Sequence, residues 1–529
     1  MPITPLTDNL IHRINVGDSL TRSAARYPRN IAIIDGERRF TYAELNAWVN
    51  RVANALAAGG YGPGDALALA SGNSVEFLVT YYACAKLGAV CVPLNLGWRP
   101  QEMTYVLNHS EARGLVVESQ LVPVLERAVA EVDGVSDVFI ARGVQEREDL
   151  PFAGREAVPF ASLDTGTDTE PEQLVGDRAP LTYLYTSGTT SFPKGVVGSH
   201  TAVYLESVMM ALEARFTEED RFVAMMPMFH TAQLNCHCTP AIMVGATLHV
   251  RRAFDPADLL DTIGREGITQ IFGLPMMYRA MLEHPAIDST DLSSLRRALY
   301  AMAPMPDALI RRCIEVFACD FYLLFGQTEM SPTATLFRPE HQLSHNGAVG
   351  TPVVNVQVAI MNDGRLEPPG TIGEIVYRGP HTMTEYLKNP EATEAAFTHG
   401  WFHSGDIGSF DDDGILWFRD RSKDVIKSGG ENVASIEVEK ALYAADPQIA
   451  EVVVVGLPHE RWTEAITAFV VATPGSRIAP DDVKEALRGH LDSYKIPKSI
   501  IVVDELPKTS TGKIQKNVMR DLHREHYSS

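Results

Sequence analysis

Positive charge is scarce in this chain. Against 67 aspartates and glutamates stand 46 lysines and arginines, a formal net charge of −21 over 529 residues. A field of that sign repels polyanions, which argues against nucleic acid or an anionic membrane surface as the main partner. Any polyanionic substrate must therefore meet cations placed locally. Cysteine is scarcer still. Cys84, Cys91, Cys236, Cys238, Cys313 and Cys319 are too few for a disulfide framework in so long a chain and read as reduced thiols. No apolar run approaches the ~18 residues that suggest a membrane span; the most hydrophobic stretch, 77–93, contains Lys86 and follows Glu76. The opening Met-Pro-Ile-Thr-Pro lacks the basic-then-apolar layout of a signal peptide. The expectation is a soluble cytoplasmic protein whose 45% hydrophobic residues build a substantial core.

What is present is an alternation of helix and strand signals. Thr41-Tyr-Ala-Glu44 is a capping-box pattern, and Leu45, Val49, Val52, Ala53 and Leu56 follow at helical spacing until Gly59-Gly60 ends the run. Residues 66–70 read as a buried strand, 74–87 as a helix and 89–93 as a strand. The pattern predicts α/β layers with largely parallel strands. The acidic segment 164–177 reads as a surface loop. From 347 to 379 the texture changes to short strands with turns at Asn362-Asp-Gly364 and Pro368-Pro-Gly370, as in a small β-rich subdomain. A second shift near 421 opens a tail of helix (435–444), strand (451–456), strand (465–472), helix (481–491) and strand (500–503). That tail reads as a small α+β domain, with Arg421-Ser-Lys-Asp424 as its linker.

Five segments carry chemistry. Tyr185-Thr-Ser-Gly-Thr-Thr-Ser-Phe-Pro-Lys-Gly195 follows a strand-like run and combines glycines, hydroxyls and a lysine, the ingredients of a phosphate cradle. It is not a Walker A loop, since Lys194 precedes the last glycine and Val196 follows it. Phe325-Gly-Gln-Thr-Glu329 offers a carboxylate suited to Mg²⁺ beside such a cradle. Asp406, in Trp401-Phe-His-Ser-Gly-Asp-Ile-Gly408, is placed to hold a ribose diol. Asp420 to Asn432 contains Gly429-Gly430. Pro507 to Lys516 carries Lys513 on a Gly-containing loop, as a mobile lid would need. Each alone also suits an ordinary turn or a solvated tail.

Their order and spacing over about residues 20–520 resemble the adenylate-forming superfamily, and within it the acyl-CoA synthetase (acid–CoA ligase) branch. The resemblance implies an α/β fold: a large multilayer N-terminal AMP-binding domain with a small β-barrel subdomain (1–420), a hinge (421–424) that includes Lys423, and a mobile α+β C-terminal lid (425–529). It implies that Thr186, Ser187, Gly188, Thr189, Thr190 and Lys194 bind the β,γ-phosphates of ATP. Ala301, Met302, Ala303 and Pro304 would flank the adenine, with Phe325 stacking on it. Asp406 and Arg421 would hold the ribose, Thr328 the α-phosphate and Glu329 the Mg²⁺. Lys513 would bridge the substrate carboxylate and the α-phosphate, and His230 would stand beside the acyl site. Gly429, Gly430 and Trp462, with Arg461, resemble CoA-contacting positions. The implied reaction joins a fatty, aryl or alicyclic acid to CoA through an acyl-adenylate.

Two positions depart from the pattern: Phe325 stands where tyrosine is common, and Met302 where a smaller residue is frequent. Eleven of the 17 methionines fall within 209–305, mostly as core, with Met302 expected to line the acid pocket. That pocket is expected to be largely apolar, with no evident charged residue. Cys236-His-Cys238 lacks the usual zinc spacing and reads as part of a buried helix over 234–244. An enzyme confined to adenylation, passing acyl-AMP to a carrier protein or partner ligase, stays open as the alternative. Intact Lys513, Glu329 and Asp406 argue against a catalytically dead nucleotide binder.

Overall fold

Thr41 opens the first long helix as its sequence requires. The Glu44 N–H donates to the Thr41 hydroxyl (3.2 Å), and the Glu44 carboxylate accepts the Thr41 N–H (2.8 Å). The helix Tyr42–Ala58 then buries Leu45, Val49, Val52, Ala53 and Leu56 and stops at Gly59. The next, Val75–Leu87, is apolar nearly all round and is buried all round. The computed structural model describes residues 3–141, 152–186, 192–302, 304–509 and 514–527. They fall into two units, 1–358 with 377–402, and 359–376 with 403–529.

Among the described residues the larger unit has two sheets. The seven-stranded one runs Ala157–Pro159, Asp137–Ala141, Ala112–Glu118, Ala66–Ala70, Val90–Pro93, Pro180–Thr186, Lys194–Ser199. Its pairs are parallel except the last, which is antiparallel. The nine-stranded sheet places Asp320–Gly326 beside Arg297–Ala301, then Gln270–Gly273 and Arg221–Ala224, all parallel. Short strands and buried helices alternate as the hydrophobic pattern predicts. Lys86 is the exception inside that core. Its ammonium donates to Thr21, Asn46, Asn50 and Glu170 (2.6–2.8 Å), and burial pushes its pKa down to about 8. The acidic segment expected as a surface loop is therefore pinned to the core through Glu170.

In the smaller unit a five-stranded sheet, order Arg365–Leu366, Gln357–Asn362, Gly373–Arg378, Phe402–Phe410, Leu416–Arg421, stands where the resemblance implies a small barrel. The chain crosses from unit to unit inside its strands. Asp363 and Gly364, both with positive φ (48° and 74°), make the hairpin turn that the sequence signals. A second sheet pairs Ile449–His459 with Thr463–Ala472 over its whole length, with Ser499–Val502 parallel to the latter. The helices Ser435–Ala445 and Pro480–Ala486 accompany it. Its core includes Val452, Val454, Ile466, Ala468, Leu442 and Leu487. No helix among the described residues is long and apolar enough to cross a membrane.

Candidate active site

The phosphate segment is carried by two antiparallel strands, Pro180–Thr186 and Lys194–Ser199, with Thr186 opposite Lys194. Ser187, Gly188, Thr189 and Thr190 lie outside the described residues. The flanks of the loop are built by aromatics. Phe192 stacks on Tyr105 (centroids 4.5 Å apart), and Tyr185 Oη lies 2.8 Å from His109 Nδ1. A cavity of about 260 Å³ opens among Tyr105, His109, Phe192, Lys194 and Tyr386.

Glu329 comes to the same neighbourhood through a forced turn. After the strand Asp320–Gly326 the Gln327 N–H donates to Pro332 O (3.0 Å). A Cβ on Gly326 would fall 2.0 Å from that carbonyl, so only glycine fits. Glu329 follows in a 3₁₀ turn, Thr328–Met330, and is 9% exposed. The Tyr386 hydroxyl donates to its Oε1 (2.9 Å), and the Lys194 ammonium sits 4.9 Å from the Tyr386 ring centroid. Tyr386 thus stands between the cation and the carboxylate. Burial first, then the Glu329 charge, pushes its phenol well up, so it stays a donor. The sequence reading missed Tyr386, since no local pattern marks a tyrosine that acts across 57 residues.

Ala301 ends a strand whose neighbour is the Phe325 strand, with Ala301 opposite Leu324. Met302 then takes a left-handed φ of 74°, a conformation that favours glycine over residues with a Cβ. Its side chain is 53% exposed rather than enclosed. Ala303 lies outside the described residues, and Pro304 is half-buried. His230 precedes a short helix, Thr231–Gln233; its Nε2 is shielded and makes no hydrogen bond among the described residues, and burial lowers its pKa to about 4. The helix expected over 234–244 is interrupted: Leu234–Cys238 form a π-turn, and an α-helix, Thr239–Val244, follows. Within it Cys236 donates to Ala232 O (2.9 Å), Gln233 donates to Cys238 Sγ (3.4 Å), and the His237 ring packs on Phe222 and Phe272.

In the smaller unit, Asp406 and Arg421 face each other across paired strands, with Arg421 Nε 3.4 Å from Asp406 Oδ1. Asp406 is 4% exposed, and its N–H donates to Ser404 Oγ (3.0 Å). Glu374 ties the preceding turn, accepting the Gly405 N–H (2.9 Å) and lying 2.7 Å from His403 Nδ1. Lys423 is exposed, and partial desolvation lowers its pKa. Gly429 and Gly430, φ 65° and 89°, form a hairpin tip, and the Gly429 N–H donates to Trp462 O (2.9 Å). The Trp462 ring carries two cations, Arg461 and Lys498, each 4.6 Å from its centroid. Burial, then Lys484, then Arg461 lower the Lys498 pKa. Lys498 and Lys484 were missed by the sequence reading because neither sits in a motif. Lys513 lies outside the described residues. Just beyond it the Lys516 ammonium pairs with the partly buried Glu439 (2.9 Å) and donates to Ser435 Oγ.

Comparison with known proteins adds the family. The AMP-binding enzyme family matches residues 20–387, and the AMP-binding enzyme C-terminal domain matches 437–513. A feruloyl-CoA synthase of Amycolatopsis sp is 36% identical over 506 residues, covering 96% of this chain and 98% of that one. The long-chain-fatty-acid–CoA ligase FadD13 of Mycobacterium tuberculosis is 34% identical over 518 residues, covering 96% and 98%. Among solved structures, the anthranilate CoA ligase AuaEII in complex with anthranoyl-AMP superposes with a TM-score of 0.89. It is 26% identical and covers 100% of this chain and 99% of that one.

Proposed function

The chain belongs to the AMP-binding enzyme family, in its acid–CoA ligase branch, and from that premise we infer which of its residues carry the two half-reactions. It is an ATP-dependent, AMP-forming acid–CoA ligase. In the first half-reaction a carboxylate oxygen attacks the α-phosphorus of ATP and pyrophosphate leaves. In the second, the CoA thiolate attacks the acyl carbon and AMP leaves. A carboxylate is a poor acyl donor because oxide is a poor leaving group; esterification to AMP repairs that. The demand in the first step is charge neutralisation rather than proton transfer.

Thr186, Ser187, Gly188, Thr189, Thr190 and Lys194 take the β,γ-phosphates, and Thr328 the α-phosphate. Phe325 and residues 301–304 take the adenine, and Asp406 with Arg421 the ribose. Lys513 neutralises the meeting of carboxylate and α-phosphate. The single observation that carries this reading is the run Lys194–Tyr386–Glu329, where a cation and a carboxylate are held about one aromatic ring. Glu329 is a hard oxygen donor oriented by Tyr386, which suits Mg²⁺. When bound, Mg²⁺ would neutralise phosphate charge there. His230, kept neutral by burial, borders the acid.

Gly429, Gly430 and Trp462 take CoA. The support is the pair Arg461 and Lys498 on Trp462, with Lys484 bonded to the Lys498 carbonyl, in a protein of net charge −21. Lys498→Glu is expected to raise the KM for CoA about tenfold or more while leaving acid-dependent pyrophosphate release within about twofold, since one phosphate-facing cation is worth about 1.5–3 kcal/mol. An unchanged KM for CoA would remove Lys498 from the site. The relatives reported above are named for CoA products, which favours the two-step reaction over one confined to adenylation. Cytoplasmic placement is part of the proposal and rests on the unpaired cysteines.

The test is to follow pyrophosphate and acyl-CoA together, with ATP, Mg²⁺ and a panel of fatty, aryl and alicyclic acids, with and without CoA. Both products are expected from at least one acid. Pyrophosphate without acyl-CoA would return the reading to adenylation alone.

A further inference from the structure

The core of the larger unit holds a carboxylic acid that none of the roles above uses. Glu206 lies on the helix His200–Glu213 and is completely buried. Neither carboxyl oxygen makes a well-formed hydrogen bond among the described residues. Thr333 approaches with its backbone and hydroxyl, and the Cys236 thiol is close by. The Thr333 hydroxyl contacts Met210 Sδ (3.8 Å), one helical turn beyond Glu206. His381 also approaches the Thr333 backbone, and both of its ring nitrogens are buried without a well-formed partner among the described residues. Next to Cys236, Asn235 gives its amide N–H to Thr231 Oγ1 (3.0 Å), while its Oδ1 is buried with no partner among the described residues. Buried polar atoms are nearly always satisfied, so such a gathering needs a reason.

Its neighbours lead to the reacting groups. Thr333 is the fourth residue after Glu329, across the turn closed by Gln327 and Pro332. Cys236 is the sixth after His230, roughly 9 Å along a helical path. Cys236 also lies in the π-turn, a local widening that recurs at functional sites. An acyl group whose carboxylate meets ATP near Glu329 would extend toward this cluster.

We propose that Glu206 ends the acid subsite and selects acids that carry an uncharged hydrogen-bonding group, a hydroxyl or carbonyl, on the acyl portion remote from the carboxylate. The inference rests on the ligase reading above and names its substrate class. Burial pushes the Glu206 pKa up to about 8, so at neutral pH it is mostly a neutral carboxyl with one donor and spare acceptor capacity. Such a group pairs with a hydroxyl or a carbonyl and loses its partner when the acid lacks one. Sites built this way reject the unsubstituted analogue strongly.

The experiment compares kcat/KM for pairs of acids, each with and without a remote hydroxyl or oxo group, in wild type, Glu206→Leu, Glu206→Met and Glu206→Gln. Wild type is expected to favour the oxygenated member of at least one pair about tenfold or more. Glu206→Leu abolishes that preference and keeps or raises the rate with the unsubstituted acid. Glu206→Met, unbranched and suited to this Met-rich core, gives the same reading if Leu does not fold. Glu206→Gln, which keeps a donor and an acceptor, retains part of the preference. A wild type without preference, or apolar variants with the wild-type ratio, overturns the proposal. A preference confined to amino-substituted acids overturns it too, by assigning Glu206 to a cation. No pyrophosphate from wild type with any acid would instead overturn the ligase reading, and this inference with it.

Discussion

Lys513→Ala is expected to lower acid-dependent pyrophosphate release by about 10²–10³-fold, the cost of removing one preorganised donor from a developing anion. The same variant is expected to make acyl-CoA from supplied acyl-adenylate within about tenfold of wild type. The asymmetry follows from the chemistry of the two steps. In the first, a carboxylate must approach a triphosphate inside a protein of net charge −21. Both reactants are anions, and negative charge concentrates on the α-phosphoryl oxygens as the bond forms. An ammonium between them acts where repulsion is greatest. In the second, the carboxylate charge has gone and AMP is already a competent leaving group. Equal losses in both half-reactions would mean that Lys513 supports the fold of the tail rather than the adenylation step. Its neighbour makes that control necessary, since Lys516 pairs with Glu439 and bonds Ser435.

The layered α/β architecture was legible because it is written locally. The Thr41–Glu44 cap, the run of buried helical positions to Leu56 and the Asp363-Gly364 turn each specify a few residues of backbone, and each forms as read. The division into units was less legible. The change of texture near 421 is real, yet residues 359–376 and 403–421 group with the tail. Strand pairing between 373–378 and 402–410 is non-local, and no window of sequence displays it. The π-turn at 234–238 was missed for a related reason. One extra residue in a helix shifts the periodicity too little to see against an apolar background.

The motifs named the groups proposed to touch ATP but not the residues that hold them. Tyr386 acts on Glu329 from 57 positions away, and Lys498 meets Trp462 from outside any motif. Glu206 could have been suspected, as a lone acid among Val203, Leu205, Val208, Met209 and Met210. An apolar acid pocket with no charged residue was the simpler reading.

Glu329→Gln is expected to reduce adenylation by about 10²–10³-fold and to raise the Mg²⁺ concentration needed for half-maximal rate, since a metal-bound phosphate oxygen accounts for several kcal/mol. The amide keeps the size and one oxygen of the side chain but loses the charge, so the test separates charge from packing. Tyr386→Phe removes only the hydrogen bond to Oε1 and leaves the ring beside Lys194. A hydrogen bond to a charged acceptor is worth about 1.5–3 kcal/mol, which sets the expected loss at about 10–100-fold. The two effects should not add. If Tyr386 works by holding Glu329, its hydroxyl has little to hold once the carboxylate is gone, and the double variant should fall less than about threefold below Glu329→Gln alone. Full additivity would mean that the tyrosine hydroxyl meets ATP directly, or shapes the Lys194 side of the site, and not the carboxylate.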